Sequence, residues 1–305
     1  MSTEQIASRV WFSSSQGLGR ALLDAVLGAG DRAVATLRRP EQLESLKSQY
    51  SPSRLLVLQL DVTETFQIES AFEETQRHFG RIDVVVNNAG YALSSEIETT
   101  PLEEAKKQLD VLLWGPVQIC QQAIKFFRDI NPPGVGGHIL NISSAGGYQG
   151  NANTGFYHAG KFALEGFTES LAREVLPEWN ITATIIEPGG FRTELGSAAV
   201  RLPTLDVYKQ DHAPSQAMAR IREPKAWIGD PTRAGQVLFK LGGRRDLPMR
   251  VQLGTDASRL VRWKAKRTME DTMNPEWEEL ADSTNVDGVD KETVLQRIEA
   301  AWRKV

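Results

Sequence analysis

Residues 82–90 read IDVVVNNAG, an apolar, strand-like run that ends in two asparagines, an alanine and a glycine. Further strand-like runs occur at 10–12, 32–37, 55–60, 138–140, 181–186 and 249–253. The run LLVLQL at 55–60 is apolar almost throughout, which is typical of a strand covered on both faces. Because helical patterns separate these runs, the chain predicts an α/β protein with a doubly wound parallel sheet and helices on both faces.

The helical patterns have recognisable ends. The first follows Gly19 and is expected to end near residues 28–30, and another at about 64–79 is closed by Gly80. Pro40 and Pro101 each suit the first turn of a helix. The helix that Pro101 opens should be long and reach about residue 127, and a later one should run over 230–241.

Composition excludes several classes of function. The chain has 305 residues with 35 Lys plus Arg against 39 Asp plus Glu, so nothing favours binding to nucleic acid. Cys120 is the only cysteine, which rules out an internal disulfide, and the four histidines lack metal-ligand spacing. Residues 1–9 are polar, unlike a signal peptide, and no apolar run reaches the about 18 residues of a membrane span. We therefore expect a soluble, cytoplasmic protein without a metal site.

The candidate chemistry lies in YHAGK at 157–161. Tyr157 and Lys161 are four residues apart, so on a helix they share one face. The ammonium would lower the pKa of the phenol from about 10, and such a phenol can exchange a proton with an alcohol or carbonyl oxygen. An ordinary amphipathic helix also produces such pairs by chance. Ser144 follows a strand-like run, at the strand end where ligands bind in open α/β sheets, and this favours a site.

The chain resembles the short-chain dehydrogenase/reductase family over about residues 8–195, because it has NNAG at 87–90, Ser144, Tyr157 and Lys161 in the order and spacing of that family. PGGFRT at 188–193 is similar to the segment that lines the nicotinamide in that family. The resemblance implies a Rossmann-type fold and a nicotinamide dinucleotide cofactor. A narrower similarity is to members that act on hydroxysteroid- or retinol-like alcohols and to their fungal relatives.

The resemblance also implies roles for individual residues. Tyr157 would be the acid and base, Lys161 would lower its pKa and hold the nicotinamide ribose, and Ser144 would bind the substrate oxygen. Asp61 would bind the adenine beside Val62. The implied cofactor residues are Ser13, Gly17, Leu18, Gly19, Asp61, Val62, Asn88, Ala89, Gly90, Tyr157, Lys161, Pro188, Gly189, Phe191 and Thr193.

The second strand indicates which cofactor binds. An NAD enzyme is expected to place an acidic residue there for the ribose 2′-hydroxyl. This chain has TLRR at 36–39, and the guanidiniums of Arg38 and Arg39 suit a 2′-phosphate. The alternative is that Arg38 and Arg39 are ordinary solvated side chains that bind no phosphate. We predict a preference for NADP(H), with Arg38 in the site.

Two positions depart from the family pattern. Of the expected T-G-x-x-x-G-x-G, Gly17 and Gly19 match the last two glycines, whereas Ser13 stands at the first one, by substitution or by a small deletion. A side chain there would weaken cofactor binding. Leu112 stands where related enzymes have an asparagine that helps hold a water in the proton relay from the lysine. We predict a slowed or specialised enzyme.

Residues 191–230 lose the regular pattern, which predicts a lid or substrate-binding insert, with a mere surface insertion as the alternative. We predict a dinucleotide-binding domain at 1–255 and a helical extension at 256–305. The extension begins with a basic, amphipathic stretch that could contact a membrane surface or a partner, or form a solvated helix face.

Together these observations predict an NADP(H)-dependent oxidoreductase that interconverts a secondary alcohol and a ketone on a bulky, apolar small molecule. Phe191, Leu195, Val200, Leu202 and Trp227 supply the apolar character of the insert. One alternative is an enzyme on the same scaffold that catalyses isomerisation or cyclisation without net redox chemistry. Another is a catalytically silent, dinucleotide-binding interaction protein. The family resemblance further implies a homo-oligomer.

Overall fold

A computed structural model describes residues 8–195, 199–210, 212–221 and 226–302. The strands are β1 (Val10–Ser14), β2 (Arg32–Leu37), β3 (Leu55–Gln59), β4 (Val84–Asn87), β5 (Leu93–Ser94), β6 (Gly137–Ile142), β7 (Ile181–Pro188), β8 (Val200–Arg201) and β9 (Arg250–Leu253). Seven of them form one parallel sheet in the order β3-β2-β1-β4-β6-β7-β9, and β5 pairs with β8 in a second sheet. The predicted parallel α/β sheet is confirmed.

Helices connect the strands. They are α1 (Leu18–Gly28), α2 (Glu44–Lys47), α3 (Thr65–Phe79), α4 (Leu102–Leu109), α5 (Gly115–Asp129), α6 (Gly155–Glu174), α7 (Pro214–Ile221), α8 (Pro231–Gly242), α9 (Thr255–Thr272), α10 (Pro275–Asp282) and α11 (Lys291–Trp302). The long helix predicted after Pro101 is divided into α4 and α5 by a π-helical turn at Asp110–Trp114. Such turns often occur at functional sites, and this one carries Leu112.

Strand β1 shows how the sheet is covered on both faces. Because successive side chains of a strand point to opposite faces, Trp11 and Phe12 enter different core clusters. Trp11 stacks on Phe239 of α8 with ring centroids 5.4 Å apart, and Phe12 stacks on Phe72 of α3 at 4.7 Å. This packing explains why the first three residues of β1 are apolar without alternation, as expected of a doubly wound sheet.

The strand order reverses between β1 and β4, since the chain first builds outward to β3 and then crosses to the other side of β1. At such a reversal, the connections from neighbouring strands diverge and leave a crevice at the carboxyl ends of the strands. The strands that border this crevice or lie beside it end at Ser14, Asn87, Ile142 and Pro188.

The chain divides into two compact units, one ending at Ser258 and the other beginning at Arg259. The first contains the large sheet, and the second contains most of α9 with α10 and α11. The domain boundary at 255 and 256, and a contact between the basic stretch and a membrane or partner, stay predictions. Among the described residues, no helix has both the length and the apolar character that crossing a bilayer requires.

Candidate active site

Helix α6 is joined to the carboxyl end of β6 by buried hydrogen bonds. Lys161 Nζ donates to the Ile142 carbonyl oxygen at 2.7 Å. On the loop that follows, Ser143 Oγ donates to Glu165 Oε1 at 2.5 Å. Because these contacts involve successive turns of α6, they fix the helix against the strand end that carries Ser144.

Ser144 begins the turn that leaves β6. Its backbone is extended, with φ of −170°, and its half-buried Oγ accepts a hydrogen bond from the Gly146 amide at 2.9 Å. His158 of α6 holds the same turn, because its Nδ1 donates to the Gly146 carbonyl at 2.7 Å. On its other side, Thr154 donates to His158 Nε2 at 3.0 Å. The hydroxyl predicted to bind the substrate oxygen is therefore held against the helix that carries Tyr157.

Tyr157 and Lys161 lie on one face of α6, with Lys161 Nζ 5.9 Å from the centre of the tyrosine ring. Tyr157 is half-buried, whereas Lys161 is buried. Burial lowers the pKa of the Lys161 ammonium to about 8, although the negative charge of Glu165 opposes that shift. We refer to Ser144, Tyr157 and Lys161, the three residues predicted to be catalytic, as the catalytic corner.

A charged network missed by sequence reasoning lies behind the catalytic corner. Arg250 of β9 forms ion pairs with buried Glu165, with buried Glu187 at 3.2 Å and with half-buried Glu169 at 2.6 Å. Burial raises the pKa of Glu165, while Ser143 and Arg250 act in the opposite direction. The spacing of Lys161 and Glu165, again four residues, was the signal that could have revealed part of this network.

Leu112 is completely buried in the π-helical turn. A Cβ added to Gly160 would lie 3.0 Å from Leu112 Cβ, and one added to Gly90 would lie 3.0 Å from Leu112 Cδ2 and 3.9 Å from Lys161 Nζ. The leucine therefore fills the space between Gly90 and α6, close to Lys161. Its hydrocarbon side chain offers no hydrogen bond, and Lys161 instead donates to the Ile142 carbonyl.

The glycine loop begins later than the family pattern suggests. Ser13 is buried within β1, where it pairs with Ala35 and Val86. The loop itself follows Ser14 and ends where Leu18 starts α1 and packs into the core. Gly17 has φ of 55°, a conformation that favours glycine.

Gly19 and Asn88 tie this loop to the neighbouring strand end. A Cβ on Gly19 would lie 2.2 Å from the Ser14 carbonyl oxygen, so only glycine fits there. Asn88 Nδ2 donates to Ser14 Oγ at 2.9 Å and to the Gln16 carbonyl at 3.1 Å. Ala89 packs against the core beside it, and Gly90 follows. Of the predicted residues 88–90, Asn88 therefore borders both the loop that contains Gly17 and the first turn of α1, which contains Gly19.

A cavity of about 890 Å³ opens between this loop and the segment after β7. We call it the crevice, and its lining includes Ser15, Gln16, Gly17, Arg20, Arg192 and Thr193. A Cβ on Gly17 would lie 3.7 Å from Thr193 Cβ, so the two walls approach closely. Sequence reasoning missed Arg20 and Arg192 as lining residues, although both lie within or beside quoted motifs. Ser13 is not in the lining that is described.

The residues expected at the adenosine end lie after β2 and β3. Leu37, the last residue of β2, lines the crevice, and Arg38 follows it as an exposed side chain. Within the described ranges, no hydrogen bond or ion pair engages Arg38. The Asp61 carboxylate accepts from the Thr63 amide at 3.1 Å and from its hydroxyl at 2.8 Å. Val62 is buried next to it.

Asp256 holds the segment that begins at Pro188. Its carboxylate accepts from the Gly190 amide at 2.7 Å, and a Cβ on Gly189 would lie 2.2 Å from the same carboxylate. Phe191 is buried and forms a bridge with Gly229. Asp256 lies after the last strand of the sheet, far from the motif in sequence, and no local signal indicated its contact with residues 188–191.

Comparison with known proteins now identifies the class. The profile of the short chain dehydrogenase family matches residues 12–201. The chain belongs to this short-chain dehydrogenase/reductase family of oxidoreductases, whose members bind a nicotinamide dinucleotide.

Several relatives resemble the chain over most of its length. An uncharacterized oxidoreductase of Schizosaccharomyces pombe is 36% identical over 255 residues, which are 82% of each chain. Oxidoreductase BOA17 of Botryotinia fuckeliana is 33% identical over 82% of this chain and 90% of its own. The crystal structure of a short-chain dehydrogenase from Streptomyces avermitilis has a TM-score of 0.83 and 31% identity, covering 93% of this chain and 100% of its own.

Proposed function

We propose that this oxidoreductase uses NADP(H) to interconvert a secondary alcohol and a ketone on a bulky, apolar small molecule. The observation that carries the proposal is the catalytic corner, where α6 presents Tyr157 and Lys161 beside the turn of Ser144. These are the groups that proton exchange at a carbonyl oxygen needs. The nicotinamide, when bound, supplies or accepts the hydride.

Each group of the catalytic corner has a role that its contacts support. The Gly146 amide occupies one acceptor position of Ser144 Oγ, so the hydroxyl hydrogen can be donated to a substrate oxygen. Tyr157 gives a proton to the developing alkoxide in reduction and takes one from the alcohol in oxidation. Below pH about 8 the buried Lys161 is a cation, which favours the phenolate form of Tyr157.

The crevice fits a dinucleotide. Gly17 has positive φ in one wall, and a Cβ on Gly19 would collide with the backbone of Ser14. The lining contains two arginines, Arg20, which is paired with Asp24, and Arg192, against one carboxylate, Glu194, and guanidiniums suit phosphate groups. Arg38 and Arg39 are exposed directly after β2 and make no described ion pair, so both are available to a 2′-phosphate. This charge supports NADP(H) over NAD(H).

Exposed apolar side chains of the insert support an apolar substrate. Leu195 and Val200 are about two-fifths exposed, at 39% and 40%, and Val207 is 62% exposed. Val200 lies in β8, which pairs with β5 after the NNAG segment and so connects the insert to the site edge of the sheet. We therefore propose that the insert forms the substrate lid.

The direct test replaces Tyr157 with phenylalanine and follows NADPH absorbance with a panel of bulky ketones. Removing the proton donor should lower kcat/KM by about 10²–10⁴-fold, while NADPH affinity should change little. The exposed Phe162→Leu variant, one turn further along α6, is the matched control and should keep wild-type turnover. Near-wild-type turnover by Tyr157→Phe would contradict the assignment.

Leu112 is the observation that keeps a second candidate open, because its buried side chain offers no hydrogen bond at the position where the resemblance implies a water-holding asparagine. An isomerase or cyclase on this scaffold would use Tyr157 without consuming NADPH. Product formation with constant cofactor absorbance would indicate that function. Dinucleotide binding without turnover of any substrate would indicate the silent, interaction-protein alternative. A cytoplasmic location and a homo-oligomer remain part of the proposal.

A further inference from the structure

Glu96 is a buried carboxylate that the proposed chemistry does not use. It follows β5 and is only 5% exposed. Neither Oε1 nor Oε2 has a hydrogen-bond partner within the part of the chain that the structure describes. An ionised carboxylate removed from water without a partner is strongly destabilising. Such a group is therefore unexpected unless a ligand supplies the missing partner.

The backbone around Glu96 lies beside the catalytic corner. Ser95 forms a bridge with Thr154, the residue that precedes α6, and its amide donates to the Asn153 carbonyl at 3.1 Å. Ile97 contacts the same helix start, because a Cβ on Gly155 would lie 2.9 Å from Ile97 Cγ1. Residues 95–97 therefore pack within one turn of Tyr157.

The proposed lid covers the other side of this segment. The Leu202 amide donates to the Ser94 carbonyl at 3.1 Å, and Tyr208 hydrogen-bonds Glu98. The carboxylates of Glu98 and Glu96 both raise the pKa of the Tyr208 phenol. Glu96 is thus enclosed between α6, which carries the proton donor, and the insert.

Two further residues have buried polar atoms that lack a described partner. One is Asn153 Oδ1, whose residue has φ of 65°, a left-handed conformation in which asparagine is enriched. Ser215 Oγ, on α7 of the insert, is buried without a described partner as well. A protonated amine has three donors and no acceptor, and its charge would neutralise Glu96. A neutral hydroxyl would leave the carboxylate charge uncompensated.

We propose that Glu96 recognises a protonated amine on the carbonyl or alcohol substrate. This inference rests on the proposed function, since it assigns the substrate class of the same site. The substrate would then combine an apolar body, which faces the insert, with one ammonium group held near the start of α6.

Stability provides a test that needs no substrate. Because Glu96→Gln replaces a buried carboxyl group that has no described partner with a neutral amide, its Tm without ligand should exceed that of the wild type by about 2–4 °C. Glu103→Gln makes the same change at an exposed site on α4 and should leave the Tm unchanged. An unchanged or lower Tm for Glu96→Gln would show that the carboxylate is satisfied within the protein and would overturn the proposal.

Binding tests the ligand class. The enzyme–NADP⁺ complex is titrated calorimetrically with 4-(aminomethyl)acetophenone and with 4-ethylacetophenone, which differ only in the ammonium group. We expect the ammonium probe to bind about tenfold or more tightly, as a charge-assisted hydrogen bond should provide. The preference should disappear in Glu96→Gln and persist in Glu103→Gln. Equal affinities, or a preference that survives Glu96→Gln, would overturn the proposal.

The two proposals can fail separately. Glu96-dependent binding of the ammonium probe without cofactor oxidation would contradict the proposed redox function and leave the recognition site standing. Reduction of the ethyl probe at least as efficiently as the ammonium probe would support the redox function and contradict the role of Glu96.

Discussion

The catalytic corner and the crevice are built in opposite ways. Lys161 of the corner and Glu165 behind it are buried, and each is held by a hydrogen bond to the end of β6 or the loop after it. Arg192 lines the crevice, and Arg38 follows the lining residue Leu37; both arginines are exposed. Buried, mutually bonded groups fix geometry and perturb pKa values, whereas exposed guanidiniums provide charge that a ligand can order. Proton transfer needs buried, mutually bonded groups, whereas recognition of phosphates can use exposed guanidiniums.

Among substitutions of charged residues, the largest effect is expected beside the crevice. Arg38→Ala should weaken NADPH binding by about 10–100-fold, because hydrogen bonds to charged groups contribute about 1.5–3 kcal/mol each. NADH lacks the 2′-phosphate, so its affinity should stay within about twofold. Fluorescence titration of both cofactors measures the ratio. Arg233→Ala, an exposed arginine at the start of α8, is the control. Equal loss for NADPH and NADH would mean that Arg38 does not read the 2′-phosphate.

A smaller effect, on pH dependence, should distinguish the corner. Glu165 raises the pKa of Lys161 while burial lowers it to about 8, and so Glu165→Gln should move that pKa further down. Activity that needs the Lys161 cation is present below its pKa and lost above it. The alkaline limb of the kcat/KM profile should therefore move to lower pH. At a fixed pH on that limb, kcat/KM should fall about tenfold for every pH unit by which the limb has moved.

The control for this experiment is Glu169→Gln, which removes another carboxylate partner of Arg250 at a more exposed position. Its pH profile should match that of the wild type. If both variants lose activity equally at every pH, the network supports only the structure of the corner, and the electrostatic comparison with the crevice is wrong.

The smallest effect is expected for Ser13→Gly, which restores the family glycine. Since Ser13 is buried in β1 and the described crevice lining starts at Ser15, NADPH affinity should change by less than about twofold. Unfolding in urea should show a loss of about 0.5–1 kcal/mol, because glycine weakens a strand interior. A large gain in NADPH affinity would instead place residue 13 at the pyrophosphate.

The placement of the three candidate residues was predictable because its signals are local. Tyr157 and Lys161 are four residues apart on one helix, and Ser144 follows a strand, so short-range geometry already directs them to one place. Asp256 and Arg250 could not be found in this way. Both come from the end of the sheet domain, and their partners at residues 165–190 are distant in sequence.

The Ser13 departure shows a different limit. Counting residues back from Gly17 places Ser13 at the first glycine of the motif, but counting does not reveal where β1 ends. Strand pairing decides that point, because Ser13 and Ser14 continue the ladder with Ala35 and Thr36. The π-helical turn that divides the long helix predicted after Pro101 was not predictable for a similar reason. The packing around Leu112 has no local signature in the sequence.

The sequence by itself determined the doubly wound sheet and the family, and it singled out Ser144, Tyr157 and Lys161 as candidate catalytic residues. Each depends on periodicity or spacing within a few turns of chain, which backbone geometry converts directly into position. Only the tertiary structure decided that Arg250 and Glu165 lie behind Lys161, that Asp256 holds the turn after β7, and that Glu96 is buried without a described partner. Burial and long-range pairing arise when distant segments pack together, and residue order alone does not contain that information.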